Sequence, residues 1–410
     1  MLRCVAHYRL NVDRSPSLKK AVWHLLDKLV KTSKMQMSQR AQVLEATLYF
    51  CERDSVATRR AAVDQSRKLL RKSMPYYLHA SVILFQSILY RLDGELAKSE
   101  AQIRDFEWRG PKPSTRRDHA LQGRLHISQI ENKIKCYDND VPSYIYKWEA
   151  EQPLSTLDIE VTFRLQSAAA RFFQSIGDFA AARASLEQFL SLNTANPIRD
   201  STRRIIIGRL ADIYCEMSEF SKANALLQPE LESIDESDRL RRPFRRLLLA
   251  SIEANIGLHR LDAAELVLNE LENAVPFELE DIYDQQLHMR RLLATARIAH
   301  MKPDRAAAVL RWRFALQEVD RMHTLKAKDG FTSALIYFSM AHAQLMSGDT
   351  DGGRNSWVSG VEILKREKCE FWIPIVPTVW IQRIYAEVHG MQGWSVRMML
   401  PGGRPDYTIP

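Results

Sequence analysis

Cysteine is scarce in this 410-residue chain, and its five copies stand alone: Cys4, Cys51, Cys136, Cys215 and Cys369. Odd in number and widely scattered, with no CxxC, they exclude a disulfide-stapled scaffold and a CxxC-type structural zinc site. Glycine and proline are few as well, at 15 and 16 residues. An all-β fold needs a turn cluster roughly every 8–12 residues, so that class is excluded too. Long apolar runs are also missing. The N-terminal MLRCVAHYRLNVDRS has no unbroken apolar core of the kind a signal peptide needs. The most apolar stretch, Trp372 to Ile381, is about half a membrane span and is interrupted by Pro374 and Pro377. Together with the absence of any N-x-[ST] acceptor, these gaps predict a cytoplasmic or nuclear protein with reduced thiols and no membrane segment.

Motifs that carry chemistry are absent too. No GxxxxGK[ST] loop is present to cradle phosphates, and neither HExxH nor GxSxG occurs. None of the 11 histidines stands beside a cysteine, serine or carboxylate in a nucleophile arrangement. The expectation is a protein that is not an enzyme, with no catalytic, cofactor-binding or metal-binding residue and no small-molecule substrate. Glu278, Glu280, Asp281 and Asp284 could supply oxygen ligands, but they follow Pro276, where a helix should begin and where negative charge suits the helix dipole. The basic run Arg239, Arg241, Arg242, Arg245 and Arg246, in a chain of formal charge +8, reads first as a solvated face or a site for an acidic partner. Nucleic-acid binding and a nuclear import signal are its secondary readings.

What the chain does contain is 46% hydrophobic and 26% charged residues, the balance of a folded protein, arranged with internal self-similarity. In SAAARFFQSIGDFAAARASLEQFL (167–190) a helical run, a turn at Gly177 and a second helical run follow one another. Small residues fall at Ala170 and Ala182, large ones at Phe173, Phe179 and Leu186. Ser218 takes the turn position next, with Leu210, Ala211, Tyr214, Phe220, Ala223 and Leu227. His259 follows, with Leu261, Ala264 and Leu268. Met301 gives Leu293, Ala294, Ala306 and Leu310, and Gly348 gives Met340, Ala341, Gly353 and Trp357. These anchors are spaced by 41, 41, 42 and 47 residues.

These residues resemble the tetratricopeptide repeat, in the long-period variant of about 42 residues found in kinesin light chains and in arrays attached to nucleotide-binding signalling proteins; the usual period is about 34. The resemblance implies an all-α, right-handed superhelical solenoid of antiparallel helix hairpins. It also implies a concave groove lined by first-helix positions 13, 10, 6 and 3 residues before each anchor. Those positions give Arg164, Ser167, Arg171 and Gln174, then Arg246 and Glu253, His288 and Arg291, and Phe338 with His342. Cations outnumber the one glutamate, so the implied partner is a protein with an extended acidic or phosphorylated segment. Ser167 and Arg171 depart from the lysine and asparagine with which chaperone-binding members hold a terminal carboxylate.

Three regions are expected: divergent helical hairpins over 1–150, the repeat array over 151–365, and a capping helix with a disordered tail over 366–410. The polar stretch RGPKPSTRRDH (109–119) reads as an exposed loop or boundary. Phe371, Trp372 and Trp380 read as a cap over the last hairpin. The functional expectation is a scaffold or adaptor. Its alternatives are a regulatory or sensor array belonging to a larger signalling NTPase or transcription regulator, and a helical repeat protein associated with nucleic acid.

Overall fold

A turn recurs through the computed structural model with one hydrogen-bond pattern. After a helix ends, a residue at positive φ reverses the chain: Gly94 (+77°), Ser218 (+59°), His259 (+57°) and Gly348 (+85°). The amide after it reaches back five residues, from Glu95 to Tyr90 O, Glu219 to Tyr214 O, Arg260 to Asn255 O and Asp349 to Gln344 O, at 2.8–2.9 Å. This is the left-handed helix stop that satisfies the last carbonyls. Three of the turn anchors found in the sequence, Ser218, His259 and Gly348, occupy the left-handed position itself.

A side chain at positive φ costs about 1 kcal/mol that glycine avoids. His259→Gly and Ser218→Gly should therefore each raise the midpoint of thermal unfolding, by roughly 0.5–1 kcal/mol of stability. Gly348→Ala should lower it, although open space surrounds the added methyl. A gain from Gly348→Ala in differential scanning calorimetry would contradict the account.

The structure describes residues 16–31, 35–51, 56–135, 140–151, 159–175, 178–192, 200–234, 239, 242–273, 282–324 and 330–366. Among them no strand occurs, and the fold is all-α. Two compact units divide the chain at Leu165/Gln166, apart from a short stretch ending at Ile282 that falls with the first.

In the first unit, α1 (Pro16–Val30), α2 (Met37–Cys51), α3 (Val56–Leu69) and α4 (Tyr76–Leu92) share a core of Leu26, Leu44, Ala62, Val63, Leu78 and Leu89. Pro75 precedes α4, and α5 (Leu96–Arg109) closes a hairpin on it across Gly94. Helix α6 (Arg116–Lys135) packs on α4, and α7 (Val141–Glu151) follows. A buried polar network specifies how α4, α5 and α6 pack. Ser87 Oγ meets Ser99 Oγ at 2.6 Å and Ser128 Oγ at 2.9 Å. Asn132 Nδ2 donates to Ser99 Oγ, and Arg91 Nη1 donates to Ser128 O and Asn132 Oδ1.

The stretch 109–119 is only in part a loop and lies within the first unit. Helix α6 begins inside it at Arg116, started by a reciprocal cap: Thr115 N–H donates to Asp118 Oδ2 (2.9 Å) and Asp118 N–H to Thr115 Oγ1 (3.2 Å). TRRD is a capping signal that a composition-based reading of the loop overlooks. Burial pushes the Asp118 carboxyl up, but the hydrogen bonds from Ser114 and Thr115 outweigh it and hold it below the usual range.

The second unit stacks helix pairs. Helix α8 (Ile159–Ser175) enters it from Gln166 and is followed by α9 (Phe179–Leu192). Next come α10 (Asp200–Glu216) with α11 (Phe220–Glu232), and α12 (Arg242–Gly257) with α13 (Leu261–Asn273). Helix α14 (Ile282–Met301) pairs in sequence with α15 (Arg305–Thr324), and α16 (Gly330–Met346) packs on α17 (Thr350–Arg366). Small residues sit where the helices approach closely: Ala182, Ala223 and Ala264 are wholly buried. At Gly353 a Cβ would come within 2.7 Å of the Leu345 side chain. One core joins α10 to α14 through Ala211, Leu227, Leu248, Ile252 and Ala294; the other joins α14 to α17 through Leu293, Trp312, Ile336 and Trp357.

One hairpin is out of the expected register. Met301 is the last residue of α14, not the turn, and α15 starts two residues later than that anchor requires. Ala306 and Leu310 face solvent, Leu310 being 64% exposed, while Ala308 and Trp312 are fully buried in their place. Counted from the start of the second helix, the equivalent of Ser218, His259 and Gly348 is Pro303. Asp304 then caps α15, accepting the Ala307 N–H at 3.0 Å, as Asp178 and Asp349 cap α9 and α17. KPD followed by a helical run is the signal that fixes this register. The segment 367–410, with Phe371, Trp372 and Trp380, lies outside the described residues, as do Gly177, Glu278, Glu280, Asp281 and Arg241.

Candidate functional site

The first helices of the second unit present side chains to one another along a ladder, and correcting the fourth anchor to Pro303 brings its members into line. Six residues before the turn stand Arg171, Asp212, Glu253, Arg297 and His342; thirteen before it stand Arg246 and Arg290. Asp212, Arg290, Arg297 and His300 are absent from the set derived from sequence. The last three were displaced by the two-residue slip, and Asp212 sits at the ordinary spacing before Ser218.

These positions hold charge in a specific way. Asp212 binds two arginines from later helices: Arg290 Nη1 and Nη2 donate to its two oxygens at 3.0 and 2.7 Å, and Arg246 Nη2 donates to Oδ2 at 3.1 Å. Burial pushes the Asp212 carboxyl up, but Arg290 and Arg246 outweigh it and keep it below the usual carboxylate range, ionised. Burial lowers the Arg246 pKa, and the neighbouring charges of Arg290 and Arg171 lower it further, against the attraction of Asp212. Gly208 on α10 makes room for this arm: a Cβ there would lie 3.3 Å from Arg246 Cγ. One step along, Arg297 Nη1 donates to Glu253 Oε2, both side chains being almost wholly buried. Cys215 lies among these groups as a buried free thiol whose pKa is raised well above normal, first by burial and then by Glu253 and Asp212. A protonated thiol there is unreactive.

At the far end the ladder turns aromatic. Trp312 Nε1 donates to His300 Nδ1 (3.0 Å), and His300 Nε2 lies 2.7 Å from His342 Nδ1 with the two rings stacked. Indole is a donor only, so His300 Nδ1 carries a lone pair, its proton is on Nε2, and His342 Nδ1 accepts it. Both rings are therefore neutral in this network.

The residues singled out from sequence separate accordingly. Arg171 and Arg246 are brought close enough to affect one another. Arg164 belongs to the first unit. Gln174, Glu253 and His342 are buried, at 8%, 3% and 4% exposure, and the last two are engaged by Arg297 and His300. His288 and Arg291 face second helices: Arg291 Nη1 bonds Glu272 of α13 at 2.6 Å, and His288 Nε2 lies 3.7 Å from Glu318 of α15. Burial, with Arg291 beside it, lowers the His288 pKa despite Glu318, so this ring adds no charge at neutral pH. His288 and His342 therefore add nothing to the cations expected along the groove.

The basic run is not one face either. Arg239 is exposed near Glu270, Arg245 is buried against Asp284 at 3.3 Å, and Arg246 joins Asp212. Among the described residues no cluster of His, Cys, Asp and Glu could hold a metal ion, and no helix is long and apolar enough to cross a membrane.

No protein-family model matches the chain, nor does any curated protein sequence. Among solved structures, the chain is similar to a Rap protein complexed with competence and sporulation factor, at 11% identity and a TM-score of 0.50, over 76% of this chain and 81% of that one. At this identity the likeness is one of fold: a helical repeat.

Proposed function

We propose that this chain is a non-catalytic interaction module of the cytoplasm or nucleus, holding an extended acidic segment of a partner protein along the first helices of its second unit. The observation that carries the reading is the excess of guanidinium over carboxylate where the ladder is only half-buried: Arg171, Arg246 and Arg290 against Asp212. Guanidinium groups recognise carboxylates through charge-assisted hydrogen bonds, and repeat folds offer an extended row of such groups. That the Rap structure of similar fold contains a second molecule supports a holding role. Second helices that start 41, 41, 44 and 45 residues apart support reading the unit as a long-period tetratricopeptide-like array. No nucleophile or phosphate loop in the sequence argues for chemistry.

The test is fluorescence anisotropy on mixed short peptides, acidic, neutral and basic. Acidic peptides should bind the full chain selectively, and the binding should fade at high salt as exposed contacts are screened. Arg171→Gln with Arg246→Gln should weaken it by roughly tenfold or more, the loss of one to two charge-assisted bonds. Glutamine removes the charge without placing a carboxylate at position 246 against Asp212. Equal binding of all three peptide classes would dismiss the reading.

A further inference from the structure

Glu253 meets Arg297 and Asp284 meets Arg245, whereas at Asp212 one carboxylate on a first helix serves two arginines from later first helices. Arg290 takes both its oxygens and Arg246 shares Oδ2. Arg246, Arg290 and Asp212 together carry one net positive charge. The Nε–H groups of Arg246 and Arg290 are buried, and among the described residues neither has an acceptor. Arg246 is the open side: its side chain is 28% exposed, against 13% for Arg290 and 15% for Asp212. A partly buried guanidinium with half a carboxylate is short of counter-charge, and an incoming oxyanion would supply it.

We propose that this cluster is the seat for a single carboxylate side chain of the bound segment, and that Asp212 is a specificity-determining residue that excludes a phosphorylated side chain there. The inference rests on the acidic-segment reading above. A carboxylate brings one negative charge and balances the cluster. A phosphomonoester brings about 1.5–2 negative charges and three acceptor oxygens, and Asp212 is an ionised acceptor that cannot donate to any of them. Repulsion from a fixed like charge at short range is an established way for a site to reject one of two similar ligands. Asp212 also holds both guanidiniums in place, so it positions the donors and limits their charge.

The experiment takes the tightest acidic peptide from the library above and compares three versions differing at one position: glutamate, phosphoserine and serine. By anisotropy the wild-type chain should bind the glutamate form about tenfold or more tightly than the phosphoserine form, with inorganic phosphate a poor competitor. In Asp212→Asn the cluster carries two positive charges, and the preference should vanish or reverse. Wild-type preference for phosphoserine would overturn the selectivity assigned to Asp212 while leaving the acidic-segment reading intact. Indifference among all three at every position tested would remove both. If Asp212→Asn does not fold, the wild-type comparison and the phosphate competition still decide the matter.

Discussion

Trp312→Ala should lower the stability of the second unit by about 3–5 kcal/mol, the range for truncating a fully buried large aromatic. Equilibrium urea unfolding followed by far-UV circular dichroism measures it. Trp312 is the bulkiest of the side chains buried to below 2% and sits between Ala308, Ala315 and the core of α14 and α16. It also donates the hydrogen bond that settles the His300 tautomer. Trp312→Phe should restore much of the packing yet still cost about 1–3 kcal/mol, because a buried Nδ1 lone pair loses its donor. The control lies two residues upstream. Leu310→Ala, at a side chain 64% exposed, should stay within about 0.5 kcal/mol. Similar losses for Leu310→Ala and Trp312→Ala would mean that the fourth hairpin follows the Met301 anchor after all.

Replacing Glu253 by glutamine should be of comparable size, about 3–5 kcal/mol, since it leaves the Arg297 guanidinium buried without its carboxylate. Side-chain exposures of 4% for Arg297 and 3% for Glu253 place the pair well away from the screened, low-value class of surface salt bridges. The revealing variant is the double one. Glu253→Met with Arg297→Met removes both charges together, and its stability should lie well above that of either single variant, near or even beyond the wild type. Additive single effects in the resulting double-mutant cycle would show that the two side chains do not depend on each other. The contrast with Asp212 is instructive. There two arginines share one carboxylate, so losing Arg246 still leaves Asp212 its two bonds from Arg290.

Much of the second unit was legible because its signals are local. A left-handed residue ends a helix through bonds to its own last turn, so Ser218, His259 and Gly348 mark turns whatever lies across the fold. The fourth hairpin misled the repeat count because Ala294, Ala306 and Leu310 imitate the pattern two residues early. The capping carboxylate of Asp304 is the local feature that outranks them, since it must accept the first free amides of α15. In the first unit the same kind of signal, Thr115 with Asp118, marks a helix start within a stretch that composition alone presents as loop.

The charges of the ladder were legible only as an inventory. Side-chain spacing told that arginines line the first helices, but Asp212 meets Arg246 34 residues away and Arg290 78 residues away. Likewise His300 and His342, 42 residues apart, are neutral partners in a buried chain of donors. The amino-acid sequence by itself determined the all-α class, the hairpin phasing and the small residues at each close approach, because helix period and turn chemistry act within a few residues. Only the tertiary structure decided which guanidinium keeps an uncompensated charge and which is silenced by a buried carboxylate, because that depends on which helices become neighbours and on how much water they exclude.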